Sequence, residues 1–311
     1  MQDTSKKICV IGLGRMGSAL ARAFLKQGYP TWVWNRTTAK SEPLVAMGAR
    51  TSASLEATIA TCDVIVINVI DYAAADELLR SPSIEAALKS KLVVQLTSGS
   101  PQQARESAAW ANKHGIDYLD GAIMATPNFI GEPEGTILYS GPRAAFERKR
   151  TLFLALGGNA LHVGEDFGHA SALDVALLTQ MWGTLFGTLQ AIAVSEAEGI
   201  DVETYDKYRP TFKPTVDGAV DDLLARAKGG RYRGDDHTLA SIAAHHGAFQ
   251  HLLEVTKDRG LNPALPNAIG SLFRAAIVGG HLHDDFAALV PFMRERGGVE
   301  RPEDRGLRSA S

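Results

Sequence analysis

Two cysteines in 311 residues leave no disulfide framework, and no CxxC or HExxH spacing offers a metal site. Cys9 and Cys62 sit in or beside apolar runs and read as small buried hydrophobes in a reducing cytosol. An excess of one charge is also missing. The formal net charge of -3 excludes a general attraction to nucleic acid or to an anionic membrane. No segment is apolar for long enough to span a bilayer. The apolar run after Met1–Lys7 is only a strand long, too short for the core of a signal peptide. What remains is a soluble, cytoplasmic globular chain, long enough for one large or two ordinary domains.

The first forty residues hold the most informative pattern. An apolar strand, Ile8-Cys9-Val10-Ile11, runs into Gly12-Leu13-Gly14-Arg15-Met16-Gly17 and then an Ala-rich helical segment. Gly12 allows the tight turn out of the strand, Gly14 lets the backbone approach a pyrophosphate, and Gly17 lets helix and strand pack closely. The helix N-terminus adds free N–H groups and partial positive charge. A second apolar run, Thr31-Trp32-Val33-Trp34, follows at the distance a βαβ dinucleotide unit requires. Between Thr31 and Ser41 there is no acid, although an NAD site usually places one there for the ribose 2′-OH. Asn35, Arg36, Thr37 and Lys40 stand there instead, donors and cations suited to a 2′-phosphate, so NADPH is the expected cofactor. Solvated loop charges are the other reading of Arg36 and Lys40. Asn68 and Val69, at the end of the run Asp63–Asn68, are expected to border a cofactor ribose, and Thr97 ends a further strand beside them.

Strand and helix patterns alternate through the first half. Strands are predicted at Asp63–Asn68, Leu92–Leu96, Asp117–Asp120, Thr136–Ser140 and Ala160–Val163. Helical pieces are predicted near Pro43–Met47, at Ala73–Leu79, Ile84–Leu88 and Gln102–His114. Such alternation predicts an α/β Rossmann domain with a doubly wound, mostly parallel sheet. The pattern then changes. Gly168–Ala197 has no proline and few charges, and a helix apolar nearly all round must be buried on most sides. At about thirty residues and 1.5 Å rise it would span about 45 Å, longer than one small domain needs. Helices at Val216–Ala227, His237–Asp258, Ala264–Val278 and Asp284–Met293 complete an all-α second half. The expected domains are 1–164 for the dinucleotide and 165–311 for the long helix and the helical remainder. The polar tail 297–311 reads as disordered.

These elements and their motifs resemble the β-hydroxyacid dehydrogenase superfamily, and within it the imine reductases and reductive aminases. The residues that carry the resemblance are Gly12–Gly17, Trp34–Lys40, Leu96–Ala104, Gly121–Pro127 and Gly168–Leu178. It implies an interdomain helix, an intertwined homodimer, and NADPH-dependent reduction of imines formed from ketones and amines. Hydroxyacid dehydrogenases carry a Lys on the first turns of that helix, with an Asn about one turn later. Asp174 stands at the Lys position here, followed by Leu177 and Leu178. Their Ser-Gly-Gly-type carboxylate loop is replaced by Ile123-Met124-Ala125-Thr126-Pro127. An acid in place of the base suits a cationic reacting centre such as an iminium, and the resemblance gives Asp174 the catalytic role.

Asp174 also reads as a helix-start dipole partner. Whether it protonates a neutral imine or stabilises an iminium stays open at this point. Two residues depart from the reductive aminases, which typically have Asn where Ser98 stands and Tyr where Trp182 stands. Trp182 can donate through its indole N–H but cannot accept, so condensation of carbonyl and amine is in more doubt than imine reduction. Ser98, Met124, Thr126, Pro127, Met181 and Trp182 are the expected substrate-pocket residues, with core packing the other reading of Met181 and Trp182. His245 and His246, being adjacent on a helix, do not share a face for metal ligation. Asp235 and Asp236 read as a solvated helix-start pair. An NADP-linked hydroxyacid or alcohol dehydrogenase, and a non-catalytic NADPH sensor, are the rival functions.

Overall fold

The structure is a computed structural model that describes residues 6–294; the tail 297–311 lies outside the described residues. In chain order the first half contains β1 (Ile8–Ile11), α1 (Arg15–Lys26), β2 (Thr31–Trp34), α2 (Glu42–Val45), α3 (Leu55–Thr61), β3 (Val64–Ile67), α4 (Tyr72–Leu79), α5 (Pro82–Leu88), β4 (Leu92–Gln95), α6 (Pro101–Lys113), β5 (Asp117–Ile123), β6 (Thr136–Ser140), α7 (Arg143–Glu147), α8 (Arg150–Leu154) and β7 (Asn159–Gly164). The second half contains α9 (His169–Ala197), α10 (Val202–Gly229), α11 (Ile242–Asp258), α12 (Ala264–Val278) and α13 (Leu289–Arg294). Two compact units are formed, with the division in the chain falling between Met181 and Trp182, inside α9.

The first unit is a seven-stranded sheet of order β2-β1-β3-β4-β5-β6-β7. Pairings from β2 to β5 are parallel, β6 runs antiparallel to β5, and β7 is parallel to β6. Strands covered on both faces read as unbroken apolar runs, and β1 and β3 are buried throughout. Ile8 and Val10 join the core layer with Leu20 and Phe24 of α1. Cys9 and Ile11 face the opposite layer, with Ile59 of α3, Leu88 of α5 and Ala108 of α6. Helices thus cover both faces, which is the doubly wound arrangement. The order changes direction at β1, between β2 and β3, and such a switch point opens a crevice beyond the strand carboxyl ends.

The second unit departs from the sequence reading at three places. Helix α10 starts at Val202, well before the expected Val216, and passes through Pro210 and Pro214. Asp201 caps its start by accepting from Thr204 N at 2.7 Å, so the helix begins upstream of both prolines. Helix α11 begins only at Ile242, after Ser241 as its cap, rather than at His237. Asp235 is drawn away to the buried guanidinium of Arg226 (2.9 Å), which also pairs with Asp222 and Asp285. That ion cluster makes Asp235 a structural acid, correcting its reading as part of a solvated pair, and it explains why 235–241 is a loop. The last predicted helix is split into a 3-10 turn, Phe286–Ala288, and α13.

The largest difference concerns α9. The sequence pattern required it to be buried on most sides, yet its buried residues are Ala170, Ser171 and Asp174. Leu185, Phe186 and Leu189 are 52%, 58% and 61% exposed. One copy of the chain leaves most of this apolar helix uncovered. No helix among the described residues is long and apolar enough to cross a membrane.

Candidate active site

The site is assembled at the carboxyl ends of the parallel strands. Gly12 follows β1 with φ +92°, and a Cβ there would lie 2.2 Å from the Asn68 carbonyl oxygen. A Cβ on Gly17 would lie 1.8 Å from the Gly12 carbonyl oxygen. Both glycines are therefore demanded by the protein's own packing. Gly14 differs: a Cβ there meets nothing within 4 Å. Its surroundings are open, at the N-cap of α1, whose first turn carries no acid. That is the local arrangement in which backbone N–H groups and the helix dipole receive a pyrophosphate.

Side chains brace this loop. Asn35, just after β2, accepts from Leu13 N at 2.9 Å and donates to Thr37 O at 3.1 Å. Asn68 donates to Leu96 O at 2.6 Å, and Val69 N donates to Thr97 Oγ1 at 3.1 Å. The ends of β1, β2, β3 and β4 are thereby tied together. Gly12, Leu13, Gly14, Arg15, Met16, Asn35, Arg36, Lys40, Asn68 and Val69 line one cavity of about 470 Å³. Ten predicted cofactor residues are thus brought together in one place. Gly17, Thr37 and Thr97 are not among the lining residues.

Sequence reasoning missed four residues of the same cavity: Trp34, Ile70, Ala74 and Leu78. Ile70 is 86% exposed, an apolar side chain with nothing of its own unit over it. The signal was an apolar residue directly after the strand-ending Asn68-Val69. Arg36 faces Glu77 of α4 at 3.7 Å, both side chains being largely exposed, so the cation is held loosely and stays available to an anion. The residues fit a phosphorylated dinucleotide: an open glycine at a helix N-terminus, two cations at the second strand, and no acid on that loop.

The expected substrate residues fall into four places. Thr126 and Pro127 line a groove with Arg15, Met16, Ser18, Arg22 and Asn128, beside the glycine loop. Met124 packs against Ala122, Leu138 and Ala170, which sets the end of β5 against the start of α9. Ser98 is exposed just after β4, and Met181 and Trp182 are each about half exposed two turns beyond Asp174. In the helical unit His245 lines an apolar cavity of about 330 Å³ with Phe212, Val216 and Phe286. Phe249 packs on Phe273 in that unit's core. Among the described residues no group of His, Cys, Asp or Glu is gathered to hold a metal ion.

Asp174 is the last residue of the buried stripe on α9, 8% exposed between the exposed Leu173 and Val175. Burial raises its carboxyl above the usual range, with no hydrogen bond or charge acting against that shift. A carboxyl so placed retains its proton further towards neutral pH and can act as a general acid. It is not a helix cap, since it lies beyond the first turn of a helix that begins at His169.

Residues 7–164 match the family described as the NAD binding domain of 6-phosphogluconate dehydrogenase. Residues 166–295 match the NADPH-dependent reductive aminase-like C-terminal domain. An NADPH-dependent reductive aminase of Aspergillus oryzae is 33% identical over 294 residues, 93% of this chain and 98% of that protein. The chain belongs to the imine reductase and reductive aminase family. The solved imine reductase of Myxococcus stipitatus in complex with NADP+ is 53% identical with a TM-score of 0.89, covering 93% of this chain and all of that one. A reductive aminase of Aspergillus terreus, solved with a reduced cofactor, cyclohexanone and allyl amine, is 32% identical with a TM-score of 0.82; the match covers 93% of this chain and 99% of that one.

Proposed function

We propose that this member of the imine reductase family reduces C=N bonds to amines, with NADPH as hydride source and Asp174 as the acid. One observation carries the reading. The buried ionisable group on the first turns of α9 is a carboxyl with a raised pKa, where a hydroxyacid dehydrogenase would need an amine. NADPH, when bound, supplies the hydride that reduces the carbon. Gly14, Arg15 and Met16 hold its pyrophosphate through backbone N–H groups, on a loop shaped by Gly12 and Leu13, whose own N–H groups bond Trp34 O and Asn35 Oδ1; Arg36, Thr37 and Lys40, braced by Asn35, hold its 2′-phosphate. Asn68, Val69 and Thr97 border the ribose. Asp174 delivers a proton to the substrate nitrogen, and Ser98, Met124, Thr126, Pro127, Met181 and Trp182 shape the surrounding pocket. The first domain of this reading ends near residue 164, and the buried free cysteines Cys9 and Cys62 suit a reducing cytoplasm.

The test is NADPH oxidation with a small cyclic imine, a ketone–amine pair and a hydroxyacid assayed in the oxidative direction. Steady turnover of the cyclic imine is expected, with the ketone–amine pair slower because Trp182 offers no acceptor. Turnover of the hydroxyacid alone would overturn the assignment, and no turnover with any of them would favour a sensor.

The exposed apolar side of α9 supports a second element of the proposal. A surface that carries Leu185, Phe186 and Leu189 more than half exposed is larger and more apolar than a soluble monomer keeps. A second copy of the chain covers it, in an intertwined homodimer whose active site draws on both subunits. Light scattering at micromolar concentration should give twice the chain mass. Phe186→Glu together with Leu189→Glu should shift the protein towards monomer and abolish turnover. A stable, fully active monomer would contradict this.

A further inference from the structure

A second buried acid touches α9 one helical turn before Asp174, at Ser171, and takes no part in the scheme above. Asp120, on β5, is fully buried. Its Oδ1 accepts from the Ser171 hydroxyl of α9 at 3.0 Å. Its Oδ2 accepts from the Tyr72 hydroxyl of α4, with the Tyr118 hydroxyl at 3.5 Å. One carboxyl group therefore joins three elements: the helix that flanks the cofactor cavity, the strand that leads to Met124 and Thr126, and the helix that carries Asp174.

The grip on α9 is double. Asp120 and Ser140 are register partners across β5 and β6. The Ser140 hydroxyl donates to Phe167 O at 2.7 Å and accepts from Ala170 N at 3.2 Å. Two neighbouring strand residues thus hold two consecutive helix residues, Ala170 and Ser171. Residues three apart on a helix share a face, so whatever fixes Ser171 fixes the direction of Asp174. We propose that Asp120 is a positioning residue for the chemical step, acting through the Ser171 hydroxyl to aim Asp174. The proposal rests on the catalytic reading of Asp174 given above.

Two further observations agree with this role. Burial pushes the Asp120 carboxyl up to about 7 although the hydroxyls of Tyr72, Ser171 and Tyr118 pull it down. A buried acid of that kind is a weak source of stability. Tyr72 also packs where a side chain on Gly99 would stand, 2.4 Å from such a Cβ, so the same cluster sets the loop that carries Ser98.

The test is a double-mutant cycle. Ser171→Ala removes one hydroxyl from a buried site and leaves the cofactor loop untouched. Small displacements of a reacting group cost rate steeply, so kcat on a cyclic imine should fall about tenfold, with KM and NADPH dissociation constant unchanged. In an Asp174→Ala background the same change should have no further effect, because the residue it aims is gone. Asp120→Asn keeps an oxygen acceptor for Ser171 and should recover most of the rate that Asp120→Ala loses. A loss on Ser171→Ala that is equally large in the Asp174→Ala background, or that follows a fall in Tm, would show a structural role only and overturn the proposal. Parent-like kcat for Ser171→Ala, beside an Asp174→Ala variant that is crippled, would sink the positioning role alone. Undiminished turnover by Asp174→Ala would remove the catalytic reading, and the positioning role with it.

Discussion

Asp174→Ala should lose about 10²- to 10⁴-fold in kcat on an imine, the range typical of a removed general acid. The carboxyl is buried on α9 and is not among the residues that line the glycine-loop cavity, so NADPH affinity should stay within about twofold, since only transition-state interaction is lost. Asp174→Asn keeps shape and polarity without the acidic proton and should be nearly as slow. Asp174→Lys should not create a hydroxyacid dehydrogenase, because Leu177 and Leu178 stand where that chemistry places its Asn. The decisive comparison is single-turnover reduction of a preformed cyclic imine by parent and variants, with folding checked by Tm. Parent-like turnover by a folded Asp174→Ala protein would reduce the acid to a structural role.

Arg36→Glu should weaken NADPH about a hundredfold while leaving NADH within a few-fold, since a charge-assisted hydrogen bond is worth roughly 1.5–3 kcal/mol. The substitution removes a cation and adds an anion that repels the 2′-phosphate, with Glu77 already close by at the same rim. Because Arg36 is largely exposed, added salt should erode the parent's preference for NADPH. Dissociation constants for both cofactors, measured by quenching of protein fluorescence at low and high salt, check this. Equal kcat/KM for NADPH and NADH in the parent would contradict the role given to Arg36, Thr37 and Lys40.

Much of the first half was legible in the sequence because its strands are short, apolar and punctuated by glycine or polar residues. β1, β2 and β6 fall at their expected bounds. The glycine fingerprint was readable for the same reason: Gly12 and Gly17 are fixed by contacts under 3 Å, so no other residue fits. The helical half was less legible. Helix α10 starts at Val202, well before the expected Val216, and Asp235 belongs to a buried cation nine residues earlier in the chain. Ion clusters of that kind leave no periodic trace. The apolar excess of α9 was read as burial on most sides, whereas within one chain only Ala170, Ser171 and Asp174 are buried.

The site divides in the same way. Most of the residues that line the cavity at the strand ends are consecutive in the chain and could be named from spacing. Ile70, Ala74 and Leu78 could not, because they reach the cavity through the placement of α4. Asp120 was hidden for a further reason. In sequence it closes the strand Asp117–Asp120 like any loop acid, and only the pairing of β5 with β6 brings it under Ser171.

The central claim is that Asp174 acts as a protonated acid, and the pH dependence of single-turnover imine reduction tests it most directly. A carboxyl raised by burial is protonated below its shifted pKa and loses its proton as pH rises through it. The parent rate constant should therefore be highest on the acid side and fall as pH increases. The substrate's own iminium titration contributes a limb as well, and Asp174→Asn isolates it. The account predicts that the variant keeps the substrate limb and loses the one due to Asp174. A rate that rises with pH in the parent, or a profile that Asp174→Asn leaves unchanged, would contradict it.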